Sequence, residues 1–433
     1  MTVQRPLSPF ESRYFAADAW LGSVPVGGMP LFVGTTVRGA VDARILRRVL
    51  RELAASHVLL RSRVVTDGGV ARFEVDEDWA PPLEERTGEV DEYWELVNRR
   101  PRWDGGLFGA VLLRGPVQTR IVLVIHHGIS DGRSAFALVD EMWRRYSAHV
   151  AGSPLPLGDS DRELVGGVDE LLARVVSEAE VDGFLAQVRA EAASSGQPPQ
   201  RLPVDGDGAG DPGGRLALRR IELSARQTAE VVDAARAQGI SVNSLLAGAA
   251  LAAVRAQLPV AGPVPLMCGH AVDLRPALSP RLPASTVLNC ASGTGTPVVV
   301  DSDADPLALG VLVDQAMRFM LDTGFPALFM RASQRVLDTP VAAALSATPA
   351  IALSNMGRLP AHPLPAGLGF VRDEVFAMTA GMPPKMTVFT VGDRLTVQVE
   401  YDTAEHSHQQ MGRVAEAMSD QLARVRRAAA VRA

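Results

Sequence analysis

Residues 121–132 read Ile-Val-Leu-Val-Ile-His-His-Gly-Ile-Ser-Asp-Gly. Five consecutive branched apolar side chains suit burial on both faces, which selects a strand inside a sheet. Gly128, Asp131 and Gly132 then mark a short turn. Beyond it Phe136, Leu138, Val139 and Met142 make an apolar face, while Arg133, Asp140, Arg144 and Arg145 can meet water, the pattern of an amphipathic helix. The chain must therefore carry a strand–turn–helix unit whose strand ends in two imidazoles. Groups that titrate near neutral pH are seldom set at the mouth of a buried strand unless they are used.

Strand side chains alternate faces, so His127 shares a face with Ile121, Leu123 and Ile125, and His126 with Val122 and Val124. At most one of the two histidines can face a given cleft. A neutral imidazole there can take a proton from a hydroxyl or an amine. Asp131 either caps the following helix or pairs with an arginine, and both would fix the loop. A lone strand-end histidine is usually a packing residue, but the pair followed by Asp131 and Gly132 favours chemistry. A metal would need three or four convergent ligands. His57, His270, His362, His406 and His408 show no partner spacing, so no metal site is expected.

The stretch 198–214 (Pro-Pro-Gln-Arg-Leu-Pro-Val-Asp-Gly-Asp-Gly-Ala-Gly-Asp-Pro-Gly-Gly) cannot build a core and reads as a flexible linker. It divides the chain into lobes 1–197 and 215–433. In the first, a helix starts at Ser8, a strand spans 31–37, a helix spans 42–56, strands span 108–113 and 120–126, and 163–193 reads as acidic helix. In the second, a strand spans 216–223, with helices at 225–238 and 242–257. A strand at 264–272 is followed by helices at 306–323 and 326–346, strands near 350–354, 386–391 and 395–401, and a closing helix at 407–427. Strands and helices mix without strict alternation, so the expected class is α+β, a mixed α/β sandwich rather than a Rossmann sheet.

The 433 residues exceed what one core usually covers. A net charge of -6 offers no basic footprint, so no nucleic acid partner is expected. Cys268 and Cys290 fit neither a zinc spacing nor a disulfide framework, which suits a reducing cytoplasm. No uncharged apolar stretch approaches the ~18 residues of a membrane span, and the first residues lack the apolar core of a signal peptide. Lys385 is the sole lysine among many arginines, a bias of GC-rich coding such as that of actinobacteria.

The string His-His-x-x-x-Asp-Gly between a buried strand and an amphipathic helix resembles the signature of the condensation-domain-like acyltransferases. Further matches follow in order along the chain: His57-Val58-Leu59-Leu60-Arg61-Ser62-Arg63, Val242-Asn243-Ser244-Leu245-Leu246, Asp273-Leu274-Arg275, Asn289, and Ser354-Asn355-Met356-Gly357. The chain looks most like the phthiocerol dimycocerosyl transferase group. That resemblance implies two chloramphenicol-acetyltransferase-like lobes with a channel between them. It implies an O-acyltransferase that uses an acyl thioester on coenzyme A or an acyl carrier protein, with no permanently bound cofactor. The partner would be a small-molecule alcohol acceptor of polyketide or lipid type, and the chain a monomer. His127 would be the general base. Asp131 would pair with Arg275 to hold the loop, with His126 and Gly132 structural. Asn289, Ser354 and Asn355 would supply an oxyanion donor or border the channel. Two other readings stay open: a stand-alone condensation enzyme forming an amide, and a non-catalytic module that binds carrier proteins. Asn243 is expected to cap or stabilise its helix start, and Met378, Met382 and Met386 to fill core.

Overall fold

The computed structural model describes residues 3–88, 90–157, 163–194, 197–335 and 339–432. The first half contains α1 (Pro9–Phe15), β1 (Pro30–Arg38), α2 (Ala43–Ser56), β2 (Leu83–Thr87), α3 (Val90–Asn98), β3 (Phe108–Arg114), β4 (Gln118–His126), α4 (Gly132–Val150) and α5 (Glu178–Ser194). The second half contains β5 (Leu216–Glu222), α6 (Ala225–Ala237), α7 (Val242–Arg255), β6 (Val264–Asp273), β7 (Ala291–Val300), α8 (Pro306–Asp322) and α9 (Phe325–Ala332). It continues with β8 (Ile351–Leu359), β9 (Gly369–Phe376), β10 (Lys385–Val391), β11 (Arg394–Asp402) and α10 (His408–Arg432). This is the mixed helix-and-sheet class expected.

Two large sheets organise the molecule. One has the strand order β9-β1-β4-β3-β2, the other β5-β11-β10-β8-β6-β7. The run Ile121–Ile125 is central in the first and, Val124 apart, fully buried, as its unbroken apolar sequence requires. Helices α2 and α4 cover one face. There Trp143 of α4 is fully buried and donates its indole N–H to Thr35 Oγ1 at 3.1 Å. Asp42 caps α2 through the amides of Arg44 and Ile45, worth about 1 kcal/mol. In the second lobe α7 is apolar all round and sits inside the core, with Leu245, Leu246, Leu251 and Val254 fully buried. Each such side chain contributes roughly 1.5–3 kcal/mol by leaving water.

The lobes interlock. β9, from the second half of the sequence, pairs antiparallel with β1 and forms the edge of the first sheet. Leu274, Leu288, Cys290, Met378 and Phe389 also join the first core. Glu374 of β9 is wholly buried and accepts from Thr36, Arg120, Arg220 and Arg372, which together hold its carboxyl below the usual range despite burial. Residues of both halves thus meet on one carboxylate.

Several local readings change. The helix read over 163–193 is two, Val168–Leu172 and α5. The helix read over 326–346 crosses residues 336–338, outside the described residues; α9 and Thr339–Leu345 stand on either side. Asn243 does not cap α7. Ser241 does, accepting the Ser244 amide at 3.0 Å, because its shorter hydroxyl stands one residue before the first helical turn. Stretch 198–214 has no helix or strand, yet it lies along the second lobe. Leu202 is buried there, and the amides of Asp205, Gly206 and Gly208 donate to the carbonyls of Glu405 and Ala404. No single helix among the described residues is long and apolar enough to cross a membrane.

Candidate active site

The site forms where β4 runs out. The His126 amide donates to Leu107 O and the His127 amide to Met29 O, both at 2.9 Å, so pairing ends at the histidines. His126 is 1% exposed. Its ring stacks flat on Phe15 at 4.0 Å and meets Trp103 edge-on at 4.8 Å. Nδ1 accepts the Gly128 amide at 3.0 Å. Burial, with a further push from neighbouring His127, takes its pKa down to about 3. A neutral, packed, hydrogen-bonded ring of this kind is structural.

His127 turns the other way and is half-buried. Its ring lies 5.7 Å from Tyr14, nearly parallel at 25°. Nδ1 of the ring lies 3.4 Å from Asn289 Nδ2, and the ring also feels its own main-chain carbonyl. Asn289 Nδ2 donates to the same carbonyl at 2.8 Å. Among the described residues Nε2 has no hydrogen-bond partner. Burial lowers the His127 pKa, while that carbonyl and the Asp131 charge oppose the shift and the charge of Lys385 adds to it.

Asp131 performs both tasks considered for it. As the cap of α4 it accepts the Ser134 amide through Oδ1 at 2.9 Å. Its Oδ2 accepts from Arg275 Nη1 at 2.6 Å and from the Cys290 amide at 2.8 Å. Arg275 also donates to Leu288 O at 2.9 Å and Asp273 Oδ1 at 3.1 Å. One carboxylate thus ties the loop, the helix start and the segment before β7 together. Gly128 and Gly132 are needed for space. A Cβ at 128 would lie 2.8 Å from Tyr14 Cβ, and one at 132 would lie 2.4 Å from Met356 Sδ.

Asn289 is 1% exposed. Besides holding the His127 carbonyl it accepts the Ala291 amide at 3.0 Å. Ser354 and Asn355 lie on β8, and among the described residues neither bonds to His127. Asn355 Oδ1 instead accepts the amide of Gly357, whose φ of +74° suits only glycine without strain, where β8 shifts register. Arg61 and Arg63 make structural contacts. The first donates to Ala54 O and Ala55 O, and the second pairs with Glu74 at 2.6 Å. Met378, Met382 and Met386 are buried.

Tyr14 is the residue that sequence reading missed. Its ring faces His127 beside Asn289, and burial pushes its phenol up to about 12. A signal was present: the Ser8–Glu11 capping box fixes where α1 begins, and so where Tyr14 points. No cluster of three or more potential ligands for a metal ion occurs among the described residues.

The fold is that of the condensation-domain and chloramphenicol-acetyltransferase-like acyltransferases. It superposes on polyketide synthase associated protein 5 from Mycobacterium tuberculosis with a TM-score of 0.72, at 18% identity, over 98% of this chain and 99% of that one. Residues 212–400 match the family described as "Phthiocerol/phthiodiolone dimycocerosyl transferase C-terminus". The phthiocerol/phthiodiolone dimycocerosyl transferase of Mycobacterium ulcerans is 27% identical over 59% of this chain and 59% of its own length. That of Mycobacterium leprae is 25% identical over 68% and 70%. A shorter match covers 3% of a linear gramicidin synthase of Brevibacillus parabrevis. The chain thus spans less than two thirds of the gramicidin synthase and of the Mycobacterium ulcerans transferase, and 70% of the Mycobacterium leprae one. It is similar in sequence to phthiocerol/phthiodiolone dimycocerosyl transferases and carries the condensation-domain-like acyltransferase fold.

Proposed function

We propose that this chain is an O-acyltransferase. It moves an acyl group from a thioester, on coenzyme A or an acyl carrier protein, to the hydroxyl of a polyketide or lipid-like acceptor. The observation that carries the reading is the placing of His127: at the end of β4, facing away from packed His126, with Asn289 on its Nδ1 side, no hydrogen-bond partner on Nε2 among the described residues, and burial that holds the ring neutral. The names of the mycobacterial relatives support an acyl transfer of this class.

In the proposed reaction Nε2 accepts the acceptor's hydroxyl proton as its oxygen attacks the thioester carbonyl. The tetrahedral intermediate collapses to the ester, and the thiolate leaves with the proton from the imidazolium. Direct attack fits the surroundings. Cys290, the cysteine nearest the loop, is fully buried, and burial raises its thiol pKa well above the ordinary value. Ser130 is buried and bonded to Ser134. Neither is poised as a nucleophile. Asn289 acts as a positioning group, because its amide is already engaged with the His127 carbonyl. Ser354 is the remaining oxyanion candidate.

The test is a panel of acyl thioesters with alcohol and amine acceptors, followed by free-thiol release and product mass. Ester formation that falls about 10²–10⁴-fold in His127→Ala, with the fold intact, is the expected result. Amide products would move the chain to the condensation enzymes. Undiminished ester formation without His127 would remove the base.

A further inference from the structure

On the face of β4 opposite His127, neighbouring strands set Leu113, Arg120, Thr36 and Arg372 side by side in one row, through the pairs Leu113–Arg120, Thr36–Arg120 and Arg372–Thr36. Arg120 and His127 are also separated by seven residues of strand, on the order of 20 Å. This row is therefore remote from the candidate active site.

Its charges do not balance. Among the described residues, the ion pairs of Arg120, Arg220 and Arg372 all end on the single carboxylate of Glu374. The adjacent Lys385–Glu400 pair, at 3.0 Å, is neutral and offers no relief. Arg120 is held firmly. Its Nε donates to Thr36 Oγ1 and Glu374 Oε1, both at 3.1 Å, and its guanidinium lies over the Tyr93 ring at 4.7 Å. Its side chain is 9% exposed. Its two Nη groups have no protein hydrogen-bond partner among the described residues.

A cavity of about 270 Å³ opens over the row. Arg120, Thr36 and Gln118 give its polar side, and Leu113, Pro116 and Val117 its apolar side. Among the described residues that line it, none carries a carboxylate. A space of this size is below the ~300–1,000 Å³ of drug-sized pockets, so it suits a small molecule. A planar guanidinium with two free N–H edges matches a carboxylate in bidentate fashion.

We propose that this cavity is a second binding site, for a small organic carboxylate whose charge rests on Arg120 and whose short apolar portion rests on Leu113, Pro116 and Val117. The site is independent of the acyl-transfer reading, since it shares no residue with the His127 cluster.

Titration calorimetry of the full chain with hexanoate, hexanol and inorganic phosphate tests it. Hexanoate should bind at one per chain, at least about tenfold tighter than either comparison molecule, the margin of one charge-assisted contact. Arg120→Gln should abolish binding. Because that variant also strips Glu374 of a partner, Val117→Glu provides the check. Val117 is 70% exposed on the hairpin turn, so the change leaves the fold alone and sets a like charge at the mouth. Affinity should fall about tenfold or more, while Val117→Lys keeps it. Binding unaltered by Val117→Glu would put hexanoate elsewhere and overturn the proposal. So would hexanol or phosphate binding as tightly as hexanoate, or no binding of hexanoate at all.

Discussion

Asp131, at the start of α4, and Arg275, just beyond β6, meet at 2.6 Å with side chains 6% and 4% exposed. The pair joins residues 144 positions apart and fixes the loop that presents His127 without touching the reacting atoms. Breaking one partner of such a pair leaves an uncompensated buried charge, a cost of about 3–5 kcal/mol. Arg275→Met should lower unfolding stability by that amount and reduce turnover through a displaced loop. Asp131→Asn combined with Arg275→Met should recover part of the stability, since no charge is then stranded. Denaturant unfolding of both single variants and the double variant gives the coupling. A coupling near zero would mean the pair does not brace the loop.

The pH dependence follows from the two histidines. His127 must be neutral to act as a base, and burial lowers its pKa from 6.5. The acidic limb of kcat/KM should therefore fall below pH 6.5, and His127→Ala should lose it. Stability has its own profile. Between pH 6.5 and about 3 the unfolded chain protonates His126 while the folded chain does not. Unfolding therefore takes up a proton. The His126 contribution is fully present above pH 6.5 and is lost as the pH falls, by about 1.4 kcal/mol per unit. His270, lowered to about 4 by burial in the second lobe, acts in the same direction. Unfolding measured against pH should be flatter in His126→Phe. An identical slope would show that His126 is protonated in the folded chain.

Gly132 and Met356 make a testable contact between the loop and β8. A Cβ at 132 would meet Met356 Sδ at 2.4 Å and Cε at 3.0 Å, and nothing else more closely than 3.9 Å. Gly132→Ala should cost about 1–3 kcal/mol by overpacking. Met356→Ala should relieve that cost in the double variant, as melting of the three proteins will show. A double variant no more stable than Gly132→Ala alone would place the strain in the backbone instead.

The strand–turn–helix unit and the opposite facing of the two histidines were legible because strand alternation is strict and the run 121–125 is uniformly apolar. Strands β7 and β9 were not. β7 begins Ala-Ser-Gly-Thr-Gly-Thr-Pro, a composition that reads as loop, and pairing with β6 along its whole length outweighs that propensity. β9 carries Arg372, Asp373 and Glu374, whose charges hide a strand; apart from the Arg372–Glu374 pair, Glu374 is balanced by Arg120 and Arg220, which lie far away in sequence. Tyr14 and Asn289 meet around His127 from positions 275 residues apart, and no periodicity in one sequence reports such a meeting.

The place of β9 bears on how the chain is made. Until residue 376 has been synthesised, the outer side of β1 has no strand to pair with, and an open strand edge invites pairing with other chains. From the end of β4 at residue 126, another 250 residues must emerge, which takes roughly 12–50 s at ~5–20 residues per second. During that interval the histidine loop exists, but the sheet beneath it is unfinished. A nascent chain of this architecture therefore passes through a prolonged aggregation-prone stage that ends only when its last third arrives.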